Sequence, residues 1–378
     1  MRSVHAVVLP PGPRLLARLE AALDGTGPAL CPLPPGLPEA AYSALLDALK
    51  PAAVEDESGV SPRHGAVPTD AAVLIATSGS TGVPKIVELS PDALKSSAHA
   101  TLDRVGSPGS RWLCCLPTSH IAGIQVLVRA LLAGTEPVIH PAFDLESVAA
   151  AGNVHVSLVP TQLHRLLDAG ADLSAFASIL LGGAAASPAL LERAAGRGAR
   201  LFTTYGMSET CGGCVYDGVP LDGVRVSLAA DGRIRLAGPA LFSRYRLAPA
   251  LTASSFDGGW FVTGDLGELT GDGRLRVRGR ADDVINTGGE KVVAGEVAAV
   301  IGRHPAVRDV VVVGRDDPEW GQRVTAVVVA SAPLTLEEVR AHVREALPAH
   351  AAPRELDLRT ELPLLPSGKP DRERLRRP

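Results

Sequence analysis

The sequence predicts an α/β fold, with a large N-terminal domain of mostly parallel sheets and a small α+β domain at its C-terminal end. Short apolar β-branched runs, such as residues 154–159 and 179–181, alternate with helical stretches such as residues 187–195. This alternation is typical of α/β layers with parallel strands. The pattern changes at the charged residues 280–283, and the residues that follow have the size of a separate small domain.

The individual elements follow from the spacing of apolar residues. In the first 70 residues this spacing predicts a strand at 4–9, helices around 15–23 and 45–49, and a polar surface connection at 51–70. Further along it predicts strands at 275–277, 307–313 and 323–330, then a helix that starts at Thr335, where Glu338 completes a capping box.

Composition excludes several classes of protein. The chain has 378 residues, 46% of them hydrophobic and 21% charged, which is typical of a globular protein with two or three domains. A net charge of −4 gives no reason to expect nucleic acid or an acidic membrane as a partner. His5 and the prolines at 10–13 interrupt any signal peptide, and no apolar run reaches the ~18 residues of a membrane span. We therefore expect a cytoplasmic protein with five reduced cysteines.

The stretch at residues 77–85 is the first candidate for a functional site. It is rich in hydroxyl side chains and glycines and ends in lysine: Thr77, Ser78, Gly79, Ser80, Thr81, Gly82, Val83, Pro84 and Lys85. Backbone N–H groups, hydroxyls and one ammonium together suit a phosphate group. The spacing differs from GxxxxGK[ST], and Pro84 precedes the lysine, so the stretch is not an NTPase P-loop of that kind. A flexible Gly/Ser turn remains the alternative.

Two further motifs follow predicted strands, where α/β folds place ligands. Residues 204–210 contain Thr204, Tyr205, Gly206 and Glu209. A tyrosine can stack on a base, and a glutamate can hold a hard cation such as Mg²⁺. In Thr263-Gly264-Asp265, the carboxylate of Asp265 can accept hydrogen bonds from both hydroxyls of a ribose. Plain turns with a solvated Glu209 and Asp265 remain the alternatives.

Three features are ambiguous when each is taken alone. Lys369 stands between glycine and proline and suits transient contact with phosphate, but it also fits a basic tail. His120 lies in an apolar setting, where a lone histidine is usually structural. Cys211 and Cys214 have CxxC spacing, although no second CxxC supports zinc and no thioredoxin-like context supports redox chemistry.

The order of the motifs is more specific than any one of them. TSGSTGVPK at 77–85, TYGMSET at 204–210, TGD at 263–265, GRADDVINTGGEKV at 279–292 and PSGK at 366–369 together resemble the motif set of the AMP-forming acyl-CoA synthetase superfamily. The resemblance covers roughly residues 71–372. It implies the acyl-CoA synthetase/luciferase-like fold, in which the small C-terminal domain is mobile.

The resemblance also implies a two-step reaction with ATP, Mg²⁺ and coenzyme A. A carboxylate attacks the α-phosphate of ATP to give acyl-AMP and pyrophosphate, and a thiol then displaces AMP. The domains implied are 1–280, which binds ATP and the acyl group, a hinge at 281–283, and 284–378, which carries the adenylation lysine. By resemblance, the site residues are as follows: catalytic Lys369, Glu209 and Lys85; metal-binding Glu209; nucleotide- or cofactor-binding Thr77, Ser78, Gly79, Ser80, Thr81, Gly82, Thr204, Tyr205, Gly206, Asp265, Arg280, Gly288 and Gly289; substrate-binding His120, Gln125, Gly183 and Gly213; and Asp282 in the hinge.

Within the superfamily, residues 120–125, 159–163 and 214–221 are most similar to the o-succinylbenzoate–CoA ligases of menaquinone biosynthesis. This likeness implies an aromatic keto-acid substrate with a second carboxylate. Arg129 and Gln125 are candidates to bind that carboxylate, and the glycines at 183, 212 and 213 would leave room for a planar ring. Two features depart from the superfamily: Ile86 replaces the usual glycine after the lysine, where it would alter the turn, and the N-terminal region is short.

Other classes of function remain open at this stage. An amide ligase or a carrier-protein ligase would share the adenylation step and differ in the acceptor. An amino-acid-activating domain is less consistent with the sequence, because residues 117–123 contain no anchoring aspartate. A non-catalytic nucleotide-binding regulator and a CxxC redox protein are the alternatives from other classes.

Overall fold

The computed structural model describes residues 1–77, 84–365 and 368–377. In chain order, the first elements are β1 (Val4–Val8), α1 (Pro13–Asp24), β2 (Ala29–Pro32), α2 (Glu39–Leu49), β3 (Ala53–Asp56), β4 (Gly59–Pro62), β5 (Val73–Thr77), β6 (Lys85–Leu89), α3 (Pro91–Val105), β7 (Arg111–Cys114), α4 (Ile121–Leu132), β8 (Val138–Ile139), α5 (Leu145–Ala149), β9 (Val154–Leu158), α6 (Pro160–Asp168), β10 (Ser178–Leu181), α7 (Pro188–Ala195), β11 (Leu201–Met207), β12 (Gly212–Tyr216) and β13 (Val219–Pro220).

The elements that follow are β14 (Arg225–Leu228), β15 (Arg233–Ala237), β16 (Arg244–Tyr245), α8 (Pro249–Ser254), β17 (Phe256–Asp257), β18 (Trp260–Leu269) and β19 (Leu275–Arg280). The C-terminal elements are β20 (Val284–Thr287), β21 (Glu290–Val293), α9 (Ala294–Ile301), β22 (Val307–Asp317), β23 (Gly321–Ala330), α10 (Leu336–Arg344), β24 (Glu355–Arg359) and α11 (Arg372–Arg376).

Proline and serine set the starts of many helices. Proline occupies the first turn of α1, α3, α6, α7 and α8, where its missing N–H has no helical partner to lose. Ser90 and Ser187 cap α3 and α7 by accepting a hydrogen bond from the backbone N–H three residues on. The predicted capping box of Thr335 and Glu338 is present at the start of α10.

Two seven-stranded sheets form the large N-terminal part. The first has the strand order β16-β6-β5-β2-β1-β3-β4 and the second the order β13-β12-β11-β10-β9-β7-β8. Their central strands are parallel: β5, β2, β1 and β3 in the first sheet, and β11, β10, β9, β7 and β8 in the second. One apolar core joins residues from both sheets with helices α1, α3 and α4, so these helices are buried between the layers.

A third sheet is antiparallel throughout and was not predicted. It contains β14, β15, β18, β17 and β19. The C-terminal residues form a separate sheet of β20 to β24, which has its own core with α9 and α10. The α/β prediction with a large and a small domain is therefore confirmed, and the boundary at 281–283 stays a prediction. Among the helices of the described ranges, none has the length and apolar content that crossing a membrane requires.

The connection predicted at residues 51–70 is partly wrong, because it contains the hairpin of β3 and β4 at the edge of the first sheet.

Buried Glu88 on β6 lies near the opposite edge of the first sheet and stabilises it. It accepts hydrogen bonds from Thr69 Oγ1 (2.8 Å), Arg244 Nε (3.0 Å) and Arg246 Nη1 (2.9 Å). Arg246 is also buried and donates to the backbone oxygens of Leu49, Lys50 and Val67.

The Arg246→Ala variant should lose about 3–5 kcal/mol of unfolding free energy, because it leaves the buried charge of Glu88 without its enclosed partner. Denaturant unfolding measures this loss. Arg244→Ala is the matched control: Arg244 pairs with the same glutamate from a half-exposed position, so its removal should cost less than about 1 kcal/mol. Equal losses in the two variants would contradict this account.

Candidate active site

The candidate site lies at the carboxyl ends of β9, β10 and β11, which are parallel neighbours in the second sheet. Crowding by a neighbouring side chain explains the glycine after β10. A Cβ on Gly182 would lie 2.4 Å from Oγ1 of Thr204, which itself donates a hydrogen bond to Leu181 O at 3.2 Å. Any larger residue than glycine would push Thr204 away from the end of β10. The ends of these parallel strands are where α/β folds have a ligand-binding crevice.

Asp265 is the centre of the polar network in this crevice. Tyr205 donates its hydroxyl proton to Asp265 Oδ2 at 2.9 Å, and Arg280 Nη1 lies 3.4 Å from Oδ1. Arg280 also donates to both oxygens of Asp282, at 2.8 and 2.9 Å. Burial raises the pKa of Asp265, while Arg280 and Tyr205 oppose the rise. The structure therefore brings four of the predicted residues into one hydrogen-bonded chain.

Lys369 reaches this crevice from the C-terminal domain. Gly368 and Gly183 both have positive φ, and Val159 lies between them: a Cβ on either glycine would come within 3.1 Å of its side chain. Lys369 Cε lies 3.9 Å from the Cβ position of Gly183. The lysine side chain keeps access to solvent within the cleft. Even so, partial desolvation by the surrounding protein lowers its pKa, against the attraction of Asp265 and Glu209.

His120 immediately precedes α4 and faces the same crevice. Burial lowers the pKa of its imidazole, and the positive charge of Lys369 lowers it further. His120 is therefore neutral near neutral pH. Its assignment as a substrate-binding residue stays a prediction.

Glu209 lies in a short 3₁₀ turn, Ser208–Thr210, after β11. Its Oε1 accepts a hydrogen bond from the Tyr245 hydroxyl at 2.8 Å, and its backbone oxygen accepts one from Phe242 N at 2.8 Å. In the described ranges, Oε2 accepts no hydrogen bond from protein, and no group of three or more metal-ligating side chains occurs. A carboxylate whose second oxygen accepts no hydrogen bond from the described protein suits Mg²⁺, which proteins commonly bind through one or two carboxylates and substrate phosphates.

The predicted phosphate stretch is described at its two ends only. Thr77 ends β5 and Lys85 begins β6, and the two residues pair across the hairpin, with Thr77 Oγ1 donating to Lys85 O at 3.2 Å. Ser78, Gly79, Ser80, Thr81 and Gly82 lie outside the described residues. Ile86, which stands where the superfamily usually has glycine, continues β6 and is buried in the core of the first sheet.

Gly206 and Gly213 are glycines because β11 and β12 approach closely. A Cβ on Gly206 would lie 1.9 Å from Gly212 O. A Cβ on Gly213 would lie 2.8 Å from Cε1 of Tyr216 and 3.2 Å from the Cβ of Thr204. The space expected beside Gly213 for a planar ring is therefore filled by protein.

Gln125 and the pair Gly288 and Gly289 lie apart from the network of Asp265. Gln125 is fully buried and donates Nε2–H to Leu94 O at 3.3 Å. Gly288 donates to Trp320 O at 2.9 Å within the C-terminal domain, and a Cβ there would lie 2.5 Å from the Trp320 ring. In the arrangement of domains seen here, these two glycines belong to a separate hairpin turn.

Arg129 is buried on α4, and its guanidinium lies over the ring of Trp112, 4.6 Å from the ring centre. Its Nη1 lies 3.4 Å from Ser157 Oγ, and its Nε has no hydrogen-bond partner among the residues that the structure describes. Three arginines are buried in the described part of the chain. Arg246 and Arg315 pair with carboxylates, whereas Arg129 has no acidic partner there.

The cysteines do not form a redox or metal site. All five are buried and free. Burial raises the pKa of Cys214 to about 12 and raises that of Cys211 as well. Protonated, enclosed thiols are poor nucleophiles and poor metal ligands.

The sequence prediction missed Tyr245, which holds Glu209. The signal that could have identified Tyr245 is the rarity of tyrosine, since the chain contains only four tyrosines.

Comparison with known proteins adds independent information. The model of the AMP-binding enzyme family matches residues 6–241, and the model of the AMP-binding enzyme C-terminal domain matches residues 296–369. A probable 2-succinylbenzoate–CoA ligase of Mycobacterium tuberculosis is 42% identical, over 99% of this chain and 97% of the relative.

Solved structures show the same likeness. The o-succinylbenzoate CoA synthetase (MenE) of Bacillus subtilis in complex with the acyl-adenylate OSB-AMP superposes with a TM-score of 0.85 and 26% identity, over 100% of this chain and 88% of that one. The same enzyme in complex with ATP and magnesium ion gives a TM-score of 0.82 with 26% identity, over 99% and 89%. The amide bond synthetase McbA of Marinactinospora thermotolerans gives 0.85 with 26% identity, over 99% and 89%.

Proposed function

Because the chain belongs to the family of AMP-binding enzymes, we propose that it is an ATP-dependent ligase that joins o-succinylbenzoate to coenzyme A. The observation that carries the proposal is the meeting of Asp265, Arg280 and Lys369 at the ends of the parallel strands. The full-length likeness to the 2-succinylbenzoate–CoA ligase of M. tuberculosis supports the choice of substrate.

In this proposal the network of Asp265 binds the nucleoside. An ionised Asp265 accepts hydrogen bonds from the ribose hydroxyls, and Arg280 and Tyr205 hold the carboxylate in place. Tyr205 comes from the second sheet and would flank the base. Thr77 and Lys85, at the ends of β5 and β6, would lie beside the outer phosphates.

In the first half-reaction a carboxylate oxygen of the substrate attacks the α-phosphorus, and the bond to the bridging oxygen breaks with release of pyrophosphate. Negative charge accumulates between the nucleophile and the triphosphate, and the ammonium of Lys369 opposes it. Mg²⁺, when held by Glu209 and the phosphates, supplies further positive charge at the leaving group. His120, beside Lys369, would border the acyl group.

In the second half-reaction the thiolate of coenzyme A attacks the acyl carbon, and AMP leaves with the electron pair of the broken C–O bond. Lys369 is no longer needed, and we propose that residues 284–378 turn about a hinge at 281–283 that contains Asp282. The turn would withdraw the lysine and bring Gly288 and Gly289 to the crevice. Domain motion of this kind gates many two-step enzymes.

We propose that Arg129 binds the second carboxylate of the substrate. A buried guanidinium without an acidic partner is costly, and the ring of Trp112 and one long contact to Ser157 compensate it only in part. A substrate carboxylate would complete the pair. Gln125 is a weaker candidate, because its amide is already bonded to Leu94.

An amide ligase is the second candidate, favoured by the fold shared with the amide bond synthetase McbA. It would use the same adenylation site and transfer the acyl group to an amine. Small-molecule substrates fit both candidates, and a cytoplasmic location stays a prediction.

A panel of acids tests the proposed function. With ATP, Mg²⁺ and coenzyme A, o-succinylbenzoate should give thioester and AMP. Without coenzyme A, turnover should stop after one equivalent of acyl-AMP, even when amines are present. Robust turnover of benzoate or a fatty acid with none of o-succinylbenzoate would refute the substrate, and amide formation would favour the second candidate.

The Arg129→Met variant should lower kcat/KM for o-succinylbenzoate by about 10- to 100-fold, because a hydrogen bond to a charged group contributes about 1.5–3 kcal/mol. A monocarboxylic aryl acid, however slowly it reacts, should be unaffected. Arg111→Met, at an exposed position on β7, is the control. Equal losses for the two acids would indicate a structural role for Arg129.

The Lys369→Ala variant should slow adenylation by about 10²- to 10³-fold, as the loss of one group that stabilises transition-state charge does elsewhere. Thioester formation from supplied acyl-AMP should persist, and equal loss of both half-reactions would contradict the hinge.

The pH dependence of adenylation is a second test of the role of Lys369. Its lowered pKa means that the ammonium is lost as pH rises through a value below the usual ~10.4 of lysine. Adenylation should therefore decline on the alkaline side earlier than for an ordinary lysine. The residual activity of Lys369→Arg should lack this decline, because a guanidinium does not titrate in this range.

A further inference from the structure

Tyr245 makes a side-chain contact with the glutamate that the proposed function assigns to Mg²⁺. We infer that Tyr245 is a positioning residue, whose hydroxyl fixes the carboxylate of Glu209 so that its second oxygen can bind the metal of the metal–ATP complex. The inference rests on the proposed function, and it concerns a residue that does not itself touch the nucleotide.

The ring of Tyr245 is held rigidly. The residue is only 6% exposed, and its ring lies 4.8 Å from that of Phe242, which also packs against Phe256 and Phe261. Its backbone N–H donates to Thr252 Oγ1 at 3.0 Å. The hydroxyl therefore has a fixed position before any ligand arrives.

Glu209 is fixed at two points by this one segment. Phe242 N bonds its backbone oxygen and Tyr245 Oη bonds Oε1, each at 2.8 Å. The two contacts restrict both the backbone and the side-chain torsions of the glutamate. A carboxylate oxygen can only accept a hydrogen bond, so the Tyr245 hydroxyl is the donor in this contact.

The same segment is joined to the strand of Lys85. Tyr245 pairs with Val87 in the antiparallel ladder of β16 and β6, and Arg246 N donates to Ile86 O at 2.8 Å. Strand β6 begins at Lys85. One short strand thus sets the position of Glu209 relative to Lys85, the two charged groups expected on either side of the phosphates.

A Mn²⁺ titration of the full chain tests this role without any turnover. The probe is Mn²⁺ with a non-hydrolysable ATP analogue, followed by electron paramagnetic resonance. Tyr245→Phe removes only the hydroxyl and should raise the Mn²⁺ dissociation constant by about 10-fold, as loss of an outer-shell partner typically does. In the Glu209→Gln background the same change should have no further effect, because Tyr245 acts through the glutamate.

Tyr42→Phe is the matched control, since Tyr42 lies on α2 against the core of the first sheet and its variant should bind Mn²⁺ like the wild type. A second readout separates the half-reactions: Tyr245→Phe should raise the Mg²⁺ requirement of adenylation and leave thioester formation from acyl-AMP unchanged.

An unchanged dissociation constant, or the same fold-change with and without Glu209, would overturn the inference while leaving the proposed function intact. If the wild-type chain fails to bind Mn²⁺ with the analogue, the proposed function and this inference are both wrong.

Discussion

The candidate site depends on the pairing of one buried carboxylate, Asp265. Ionised carboxylates are unstable away from water unless they are hydrogen-bonded and paired. The two partners of Asp265 come from different parts of the fold: Tyr205 from the second sheet and Arg280 from the end of β19 in the third. Because Arg280 also bonds Asp282, the hydrogen-bonded network around Asp265 extends from the sheets to the predicted hinge.

Glycines supply the second constraint, because the crevice forms only where backbones can approach one another. Gly182 admits Thr204, and Gly183 and Gly368 leave space on either side of Val159 for the loop of Lys369. A side chain at any of these positions would require neighbouring atoms to move. These three glycines are thus needed mainly because a side chain would not fit. The glycines at 79 and 82, by contrast, are expected to contact phosphate.

Local signals in the sequence predicted local structure well. The strand at 154–159, the helix after Ser187 and the capping box at Thr335 are set by residues within one or two turns of one another. The motif order predicted Asp265, Arg280 and Lys369 as neighbours only through resemblance to a family. Tyr245 was missed because its strand β16 pairs with β6, which is distant in the chain. The filled space beside Gly213 was missed because the pairing of β11 with β12, which brings Thr204 and Tyr216 against this glycine, was not predicted. The antiparallel third sheet was not predicted either, although most of its pairings join strands that are neighbours in the chain.

The contacts that hold Lys369 in the crevice are weak enough to be broken. Asp168 on α6 bonds Arg193 of the N-terminal part and Arg308 of the C-terminal domain, and all three side chains are 40–45% exposed. Exposed ion pairs of this kind contribute about 0–1 kcal/mol, and Val159, beside Gly183 and Gly368, offers only an apolar side chain. The ion pairs of Asp283 with Arg372 and Arg376 join the proposed hinge to the small domain. The proposed rotation would therefore break only weak contacts near Lys369, whereas the part-buried ion pair of Arg278 and Glu296 lies beside the proposed hinge.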